Sequence, residues 1–352
     1  MIIRRLDVSE HGRTRPLYEE VFSEDDKAFV DYYYEWKTRD NTIYAAEDED
    51  GIHAMVHLNP FRIYVQGEIH TLHYIVAVAT QKEYRHQGLM RSLLALAEQE
   101  MEGAGEQFTF LMPASEKIYT PFGYRYFCTQ RRGVLDNAGK RGGDTEAVLR
   151  AAEIEENAGN VLREAEIEEN AGDVLREAEI LEKQNAGFIC RPVLPEEYDA
   201  LAVFVNRVLE EQYDIFVYRD ALYYERLCAE QRAQNGDVMV ICRPGGDLIG
   251  TFCTSRELLL QENGDPFHVR KTDSKEECEL REVILDPCYL EEGREALTEF
   301  TESYGLCKVL GYQPFLEPKR EEQVPLLMGK RLCGTVFCSE WDEKKIFINE
   351  VV

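Results

Sequence analysis

The chain has 352 residues, 44% of them hydrophobic and 11% aromatic, enough to bury a large core and more than one ordinary domain holds. Against 40 Lys and Arg stand 67 Asp and Glu, a net charge of −27 that repels phosphate backbones and anionic headgroups. Nucleic acid and membrane partners are thereby disfavoured, and a cationic small molecule or basic peptide is drawn in. No run approaches the roughly 20 apolar residues of a membrane span, and Met1–Leu6 opens without the apolar core and cleavage site of a signal peptide. The ten cysteines all lie from Cys128 onward without a C-x-x-C pair, the pattern of reduced thiols in a cytoplasmic protein. Neither Cys333 with Cys338 nor His53 with His57 makes a metal site: the first pair has no nearby His, and the second lies on a strand, about 13 Å apart.

Taken in order, the first 132 residues predict a strand at Ile2–Leu6, helices over Arg13–Phe22 and Asp25–Trp36, and strands at Thr42–Glu47, Ile52–Val65 and Glu68–Thr80. The Asp50-Gly51 and Gln66-Gly67 turns make the three strands an antiparallel meander. Leu89, Leu93, Leu94, Leu96 and Ala97 give a helix over Gln87–Glu102 ended by Gly103. A buried strand at Phe108–Met112, a short helix at Glu116–Tyr119 and a strand from Tyr124 follow.

Between Asp144 and Gly187 the composition changes. Ala152–Glu164 and Ala165–Glu177 are near-identical copies with a period of 13 residues, and a third copy begins at Ala178. The Asn-Ala-Gly steps interrupt any helix, so the region reads as an acidic spacer or insertion without chemistry. From Phe188 the first pattern begins again: an opening strand at Ile189–Pro192, helices over Pro195–Glu211 and Asp220–Glu230, a hairpin of Val238–Arg243 with Leu248–Ser255, a strand at Glu279–Leu285 and a helix over Glu291–Tyr304.

The segment that carries chemistry runs from Tyr74 to Leu94: a strand, a loop with Arg85 and Gly88 three apart, then a helix. A helix start offers unpaired N–H groups and a positive dipole end, which suits a pyrophosphate, and Gly88 admits close approach. Arg85 and Arg91 would add charge-assisted bonds.

With its order of elements and the Tyr119-Thr-Pro-Phe-Gly-Tyr124 run, the stretch 1–132 resembles the GNAT superfamily of acyl-CoA-dependent N-acyltransferases. The resemblance implies a mixed α/β sheet and acetyl-CoA as co-substrate. By position it implies Val78 and Thr80 for backbone pairing with pantetheine, and Arg85, His86, Gln87, Gly88, Met90 and Arg91 for the pyrophosphate. Met90 departs from the family's Gly or Ala. More narrowly, Val78-Ala-Thr-x-x-Glu-Tyr-Arg-x-x-Gly-Leu-Met-Arg91 and the Ala114–Tyr124 run resemble the Eis (enhanced intracellular survival) branch, which implies tandem GNAT-like units, a sterol-carrier-like third domain and homo-oligomers. The division expected is a catalytic unit at 1–135, the spacer at 136–187, a degenerate unit at 188–324 and a C-terminal segment at 325–352, a remnant of the third domain, that reaches the active site. Aligning Thr80 with Leu285 places Gly88 on Gly293 but Arg85 on Leu290, and His86 and Gln87 on Glu291 and Glu292, so the second unit should not bind CoA.

Tyr119 sits where the family carries its general acid, and a phenol can protonate a departing thiolate. For the base, the resemblance suggests the α-carboxylate of Val352, with Glu350 as rival. Asp25, Asp26 and Trp36, on the segment that covers the acceptor in this family, could attract and stack a polyamine or aminoglycoside. The expected activity is acetyl transfer to a primary amine of such a polycation. A lysine or peptide acceptor and a non-catalytic acyl-CoA-sensing scaffold are the alternatives.

Overall fold

The computed structural model describes residues 1–136, 188–255, 257–260, 268–271, 277–303, 308–312, 322–333 and 345–348. The 13-residue repeats, Cys338, Glu350 and Val352 lie outside the described residues.

Strand β1 (Ile2–Arg5) leads through a 3-10 segment to helix α1 (Arg15–Val21), and helix α2 (Lys27–Trp36) follows. Asp26 caps α2, its Oδ1 accepting from the Phe29 N–H at 2.8 Å, and the helix buries Phe29, Val30, Tyr32 and Tyr33. Strands β2 (Thr42–Asp48), β3 (Gly51–Val65) and β4 (Glu68–Thr80) form the expected meander. Gln66 and Gly67 both take positive φ (49° and 100°), the backbone that a two-residue hairpin turn requires. Helix α3 (Leu89–Gly103) buries Leu93, Leu94, Ala97 and Met101. Strand β5 (Phe108–Leu111), the single-turn helix α4 (Glu116–Tyr119) and strand β6 (Arg125–Asp136) complete the first half.

The second half comprises β7 (Ile189–Pro192), α5 (Tyr198–Glu210), β8 (Ile215–Val217), α6 (Ala221–Ala233), β9 (Val238–Cys242), β10 (Leu248–Ser255), the pair β11 (Glu257–Leu260) and β12 (His268–Lys271), β13 (Glu277–Leu285), α7 (Leu290–Ser303), β14 (Lys308–Tyr312), β15 (Glu322–Arg331) and β16 (Ile346–Phe347). Both halves share one mixed sheet in the order β1-β2-β3-β4-β5-β15-β6-β14-β13-β10-β9-β7. From either end the pairings run antiparallel three times, then parallel (β4 with β5, β13 with β14), then antiparallel again. At the centre each half has crossed over: β15 lies against β5, and β6 against β14.

The stretch Pro325–Met328, expected to begin a domain remnant, therefore belongs to the main sheet. Leu326, Leu327 and Met328 are fully buried, a run that suits a strand covered on both faces. The last described residues return to the first half. β16 runs parallel to β8, which pairs with β3, and Ile348 is buried among Phe61, Tyr74, Phe110 and Leu326. The described cysteines are free thiols. No helix among the described residues is long and apolar enough to cross a membrane, and these residues contain no cluster of three metal-ligating side chains.

Candidate active site

Strands β4 and β5 meet in register at Tyr74 and Phe110 and then part. Beyond Tyr74, β4 remains bonded to β3, with Thr80 opposite Ala54, and β5 remains bonded to β15, with Leu111 opposite Met328. The inner edges of the two strands thus open into a V, whose backbone groups are offered to a ligand. At Ala77 the β4 backbone turns left-handed (φ 48°) and the register with β3 slips between Met55 and His57. This bulge bends β4 away from a straight course.

At the end of β4 comes the loop with Arg85 and Gly88. His86 and Gly88 both have positive φ, 64° and 82°. Gly88 is the N-cap of α3, and a Cβ on it would meet nothing within 4 Å, so open space lies where the glycine is required. Left-handed residues beside a helix start turn successive N–H groups toward one point, the geometry of an anion cradle. Arg85 is exposed and its Nε donates to the Thr80 carbonyl at 3.1 Å, which holds the guanidinium at the mouth of the V. It forms no ion pair with a described residue despite the acidic surface. Gln87 is exposed and bonds the Glu83 carbonyl at 3.2 Å. Arg91 lies 4.9 Å over the Phe122 ring. The side chain of Met90 packs into the apolar cluster beneath α3, so its bulk points away from the cradle and the departure from Gly or Ala leaves the backbone there open.

Tyr119 is 7% exposed and closes the α3 side of the V, in one packed cluster with Val78, Leu111, Leu89 and Met90. Burial pushes its phenol up to about 12, so it is fully protonated at neutral pH. The turn that carries it is fixed from several sides. The Tyr124 N–H donates to the Tyr119 carbonyl, Tyr124 Oη donates to Glu98 at 2.9 Å, and Lys330 Nζ holds the other Glu98 oxygen at 2.6 Å.

The residues expected to recognise a cation are not brought together. Asp26 caps α2, while Trp36 is ten residues away at the other end, about 15 Å along the axis. Asp25 accepts from the Tyr18 hydroxyl at 2.8 Å, and the Trp36 ring carries the Arg39 guanidinium at 4.5 Å.

Sequence reasoning weighed His53 and His57 only as metal ligands and gave Tyr74 no role of its own. His53 stacks on Tyr84 at 3.9 Å and bonds Gln81 and Asp48, each at 2.7 Å, pinning the loop to β3. His57, fully buried, is bonded to the Tyr33 hydroxyl at 3.0 Å through Nδ1, and burial drives its pKa down to about 3. Tyr74 sits at the closed end of the V. Only the parting of the strands reveals its role.

A separate cavity of about 270 Å³ lies between the halves, lined by Asn59, Phe61, Tyr218, Tyr223, Glu230 and Glu282 among others. Ion pairs between the halves flank it: Arg62 with Asp220 at 2.8 Å, Arg226 with Asp40 at 2.8 Å and Lys37 with Glu230 at 3.2 Å.

Residues 2–127 match the family model of the acetyltransferase (GNAT) domain. This segment is a GNAT acetyltransferase domain. Solved structures agree on the fold over almost the whole chain. A probable N-acyltransferase of unknown function from Enterococcus faecalis V583 is 12% identical with a TM-score of 0.62, over 94% of this chain and 72% of that one. Eis1 from Mycobacterium abscessus is 12% identical with a TM-score of 0.54, over 94% and 74%. Saccharomyces cerevisiae N-myristoyltransferase with bound myristoyl-CoA is 11% identical with a TM-score of 0.52, over 93% and 82%. No curated protein matches the sequence. The family match is confined to residues 2–127, and the V with its cradle is the part of that domain suited to a thioester.

Proposed function

We propose that the protein transfers an acetyl group from acetyl-CoA to a primary amine of a small polycationic acceptor, of aminoglycoside or polyamine type, by direct attack without a covalent enzyme intermediate. The observation that carries this reading is the single constellation of an opened β4–β5 edge, an unfilled left-handed cradle with Arg85 at its mouth, and Tyr119 in the wall between them. The cradle and the guanidiniums of Arg85 and Arg91 would hold the pyrophosphate, and the free edge at Val78 and Thr80 would pair with the pantetheine arm. His86, Gln87 and Met90 would contribute backbone N–H groups.

The neutral amine nitrogen attacks the thioester carbon, and collapse of the tetrahedral intermediate breaks the C–S bond. The thiolate takes the Tyr119 proton, and the new amide nitrogen gives its extra proton to a base. Val352 is the proposed base through its α-carboxylate, supported by the descent of Lys345–Ile348 onto the face of the sheet beside Tyr74. Deleting Val351 and Val352 should then cut turnover and leave acetyl-CoA affinity unchanged, and full activity of that truncation would remove the carboxylate from the mechanism. The net charge of −27 supports a cationic acceptor, with Asp25, Asp26 and Trp36 as separate contacts rather than one subsite. The likeness to the fold of Eis1 supports the Eis-like branch, and the repeated strand order supports a second, degenerate GNAT-like unit.

A second reading, a lysine or peptide amine as acceptor, is favoured by the cavity between the halves, where charges of both signs stand in pairs. Thiol release from acetyl-CoA against polyamines, aminoglycosides and lysine peptides tests both readings, with Tyr119→Phe as control. Turnover with polycations that depends on Tyr119 supports the first reading, and turnover confined to peptides supports the second. No turnover with any amine despite CoA binding would overturn both.

A further inference from the structure

The closed end of the V is occupied by one side chain. Tyr74 is the β4 residue registered with Phe110 on β5, and it is 2% exposed. Its hydroxyl accepts the N–H of Met112, the residue that follows β5, at 3.3 Å. The phenol therefore reaches from β4 to the far strand just past the point where the two part, like a bar across the apex. Its ring is braced by Phe110, with centroids 5.3 Å apart, and edge-on by Phe61 at 6.1 Å. Ile348 and Leu326 lie in the same packed cluster.

A thioester seated on the open edge of β4 would place its acyl group toward this apex, since the pyrophosphate cradle lies at the other end of the strand. We infer that Tyr74 sets the length of the acyl group and restricts the donor to acetyl-CoA. The inference rests on the acyl-CoA reading of the V. The bond to Met112 matters because it uses a backbone donor that would otherwise be free on the parted strand, and it fixes the ring so that the apex cannot open by simple rotation. A longer chain would meet a side chain held by packing on several sides, and well-packed interiors yield to added methylenes only with strain. Where room exists, each buried methylene strengthens binding by about fourfold.

The test uses the full chain with acetyl-, butyryl- and hexanoyl-CoA, reading kcat/KM by thiol release and Kd by calorimetry. The wild type should prefer acetyl-CoA over hexanoyl-CoA. In Tyr74→Ala the ratio of hexanoyl to acetyl should rise on the order of 100-fold, as expected for four added methylenes finding space. Tyr74→Phe keeps the ring but loses the bond from Met112, and should raise the ratio by a smaller factor than Tyr74→Ala, on the order of threefold. Tyr74→Leu, closer in bulk to the buried surroundings, serves if the alanine variant does not fold, and should show the same direction.

An unchanged ratio in a folded, CoA-binding Tyr74→Ala or Tyr74→Leu variant would overturn the assignment, as would equal use of hexanoyl- and acetyl-CoA by the wild type. Failure of the wild type to bind CoA or any thioester is a distinct result. It would overturn the acyl-CoA reading itself, and this inference with it.

Discussion

At the bulge of β4 the backbone turns left-handed on Ala77 (φ 48°), and at the bulge of β13 it does so on Glu282 (φ 50°), 205 residues later (282 − 77). The register slips at both places, between Met55 and His57 and between Thr251 and Cys253, so the two halves share a backbone device as well as a strand order. What fills the device differs. Ala77 leaves its surroundings apolar, whereas Glu282 holds the buried guanidinium of Arg219. The same offset carries Thr80 to Leu285 and Gly88 to Gly293. Gly88 stands in open space with positive φ, but Gly293 lies inside α7, where a Cβ would come within 2.9 Å of the Leu285 side chain. In the first half the glycine makes room for a ligand, and in the second it makes room for a leucine. The helix start that carries Arg85 and His86 in one half carries Leu290 and Glu291 in the other.

This contrast can be broken at several points. The largest effect is expected from Tyr119→Phe, which should lower kcat on the order of 10²- to 10³-fold, within the range for general acid catalysis, while the Kd for CoA stays unchanged. An unaltered kcat would take Tyr119 out of the chemistry. Next, Arg85→Ala and Gly88→Ala should each weaken CoA binding roughly tenfold, the first by losing charge-assisted bonds and the second by straining a left-handed position. Calorimetric titration reads both, and the matched changes Leu290→Ala and Glu291→Gln should leave CoA affinity as it is.

A pH dependence follows from His57. Its folded pKa of about 3 lies below the ordinary value of 6.5, because burial disfavours the charged ring. Above pH 6.5 the ring is neutral folded or unfolded and the site costs nothing. As pH falls from 6.5 toward 3, the unfolded chain takes up a proton that the folded one refuses. Stability should then drop by about 1.4 kcal/mol per pH unit from this group alone. Urea unfolding of His57→Gln against wild type between pH 7 and 4.5 should show the variant losing less. Parallel slopes would mean that the histidine is not buried neutral. The smallest effect is Gly293→Ala, expected to cost about 1 kcal/mol of stability by crowding Leu285 and to leave CoA binding untouched.

Much of the frame was legible before the fold was seen, because strong local signals specify it. The meander of β2 to β4 follows from alternation and two turn dipeptides, and α2 and α3 follow from their apolar stripes, with boundaries within two or three residues. The Arg85–Gly88 loop stood out by its place between a strand and a helix, and Tyr119 by the resemblance to the GNAT superfamily. The short strand Ile215–Val217 and the crossing of β6 and β15 did not, because non-local pairing leaves no periodic trace in a few residues. Pro325–Met328 read as the start of a separate piece, since sequence order says nothing about which gap in a sheet a strand will enter. Asp25, Asp26 and Trp36 look like one recognition surface when written in a line. The helix between them separates the cap from the far end. Tyr74 entered the sequence reading only as the start of the segment that runs to Leu94, and the bond it accepts from the Met112 N–H becomes meaningful only at the point where two strands part.

The account stands most directly on there being one acyl-CoA site, in the first half. Calorimetric titration of acetyl-CoA into the full chain should give one site per chain, and a double variant, Arg85→Ala with Gly88→Ala, should weaken it roughly a hundredfold. Two sites per chain, or one site whose affinity the double variant leaves unchanged, would contradict the account.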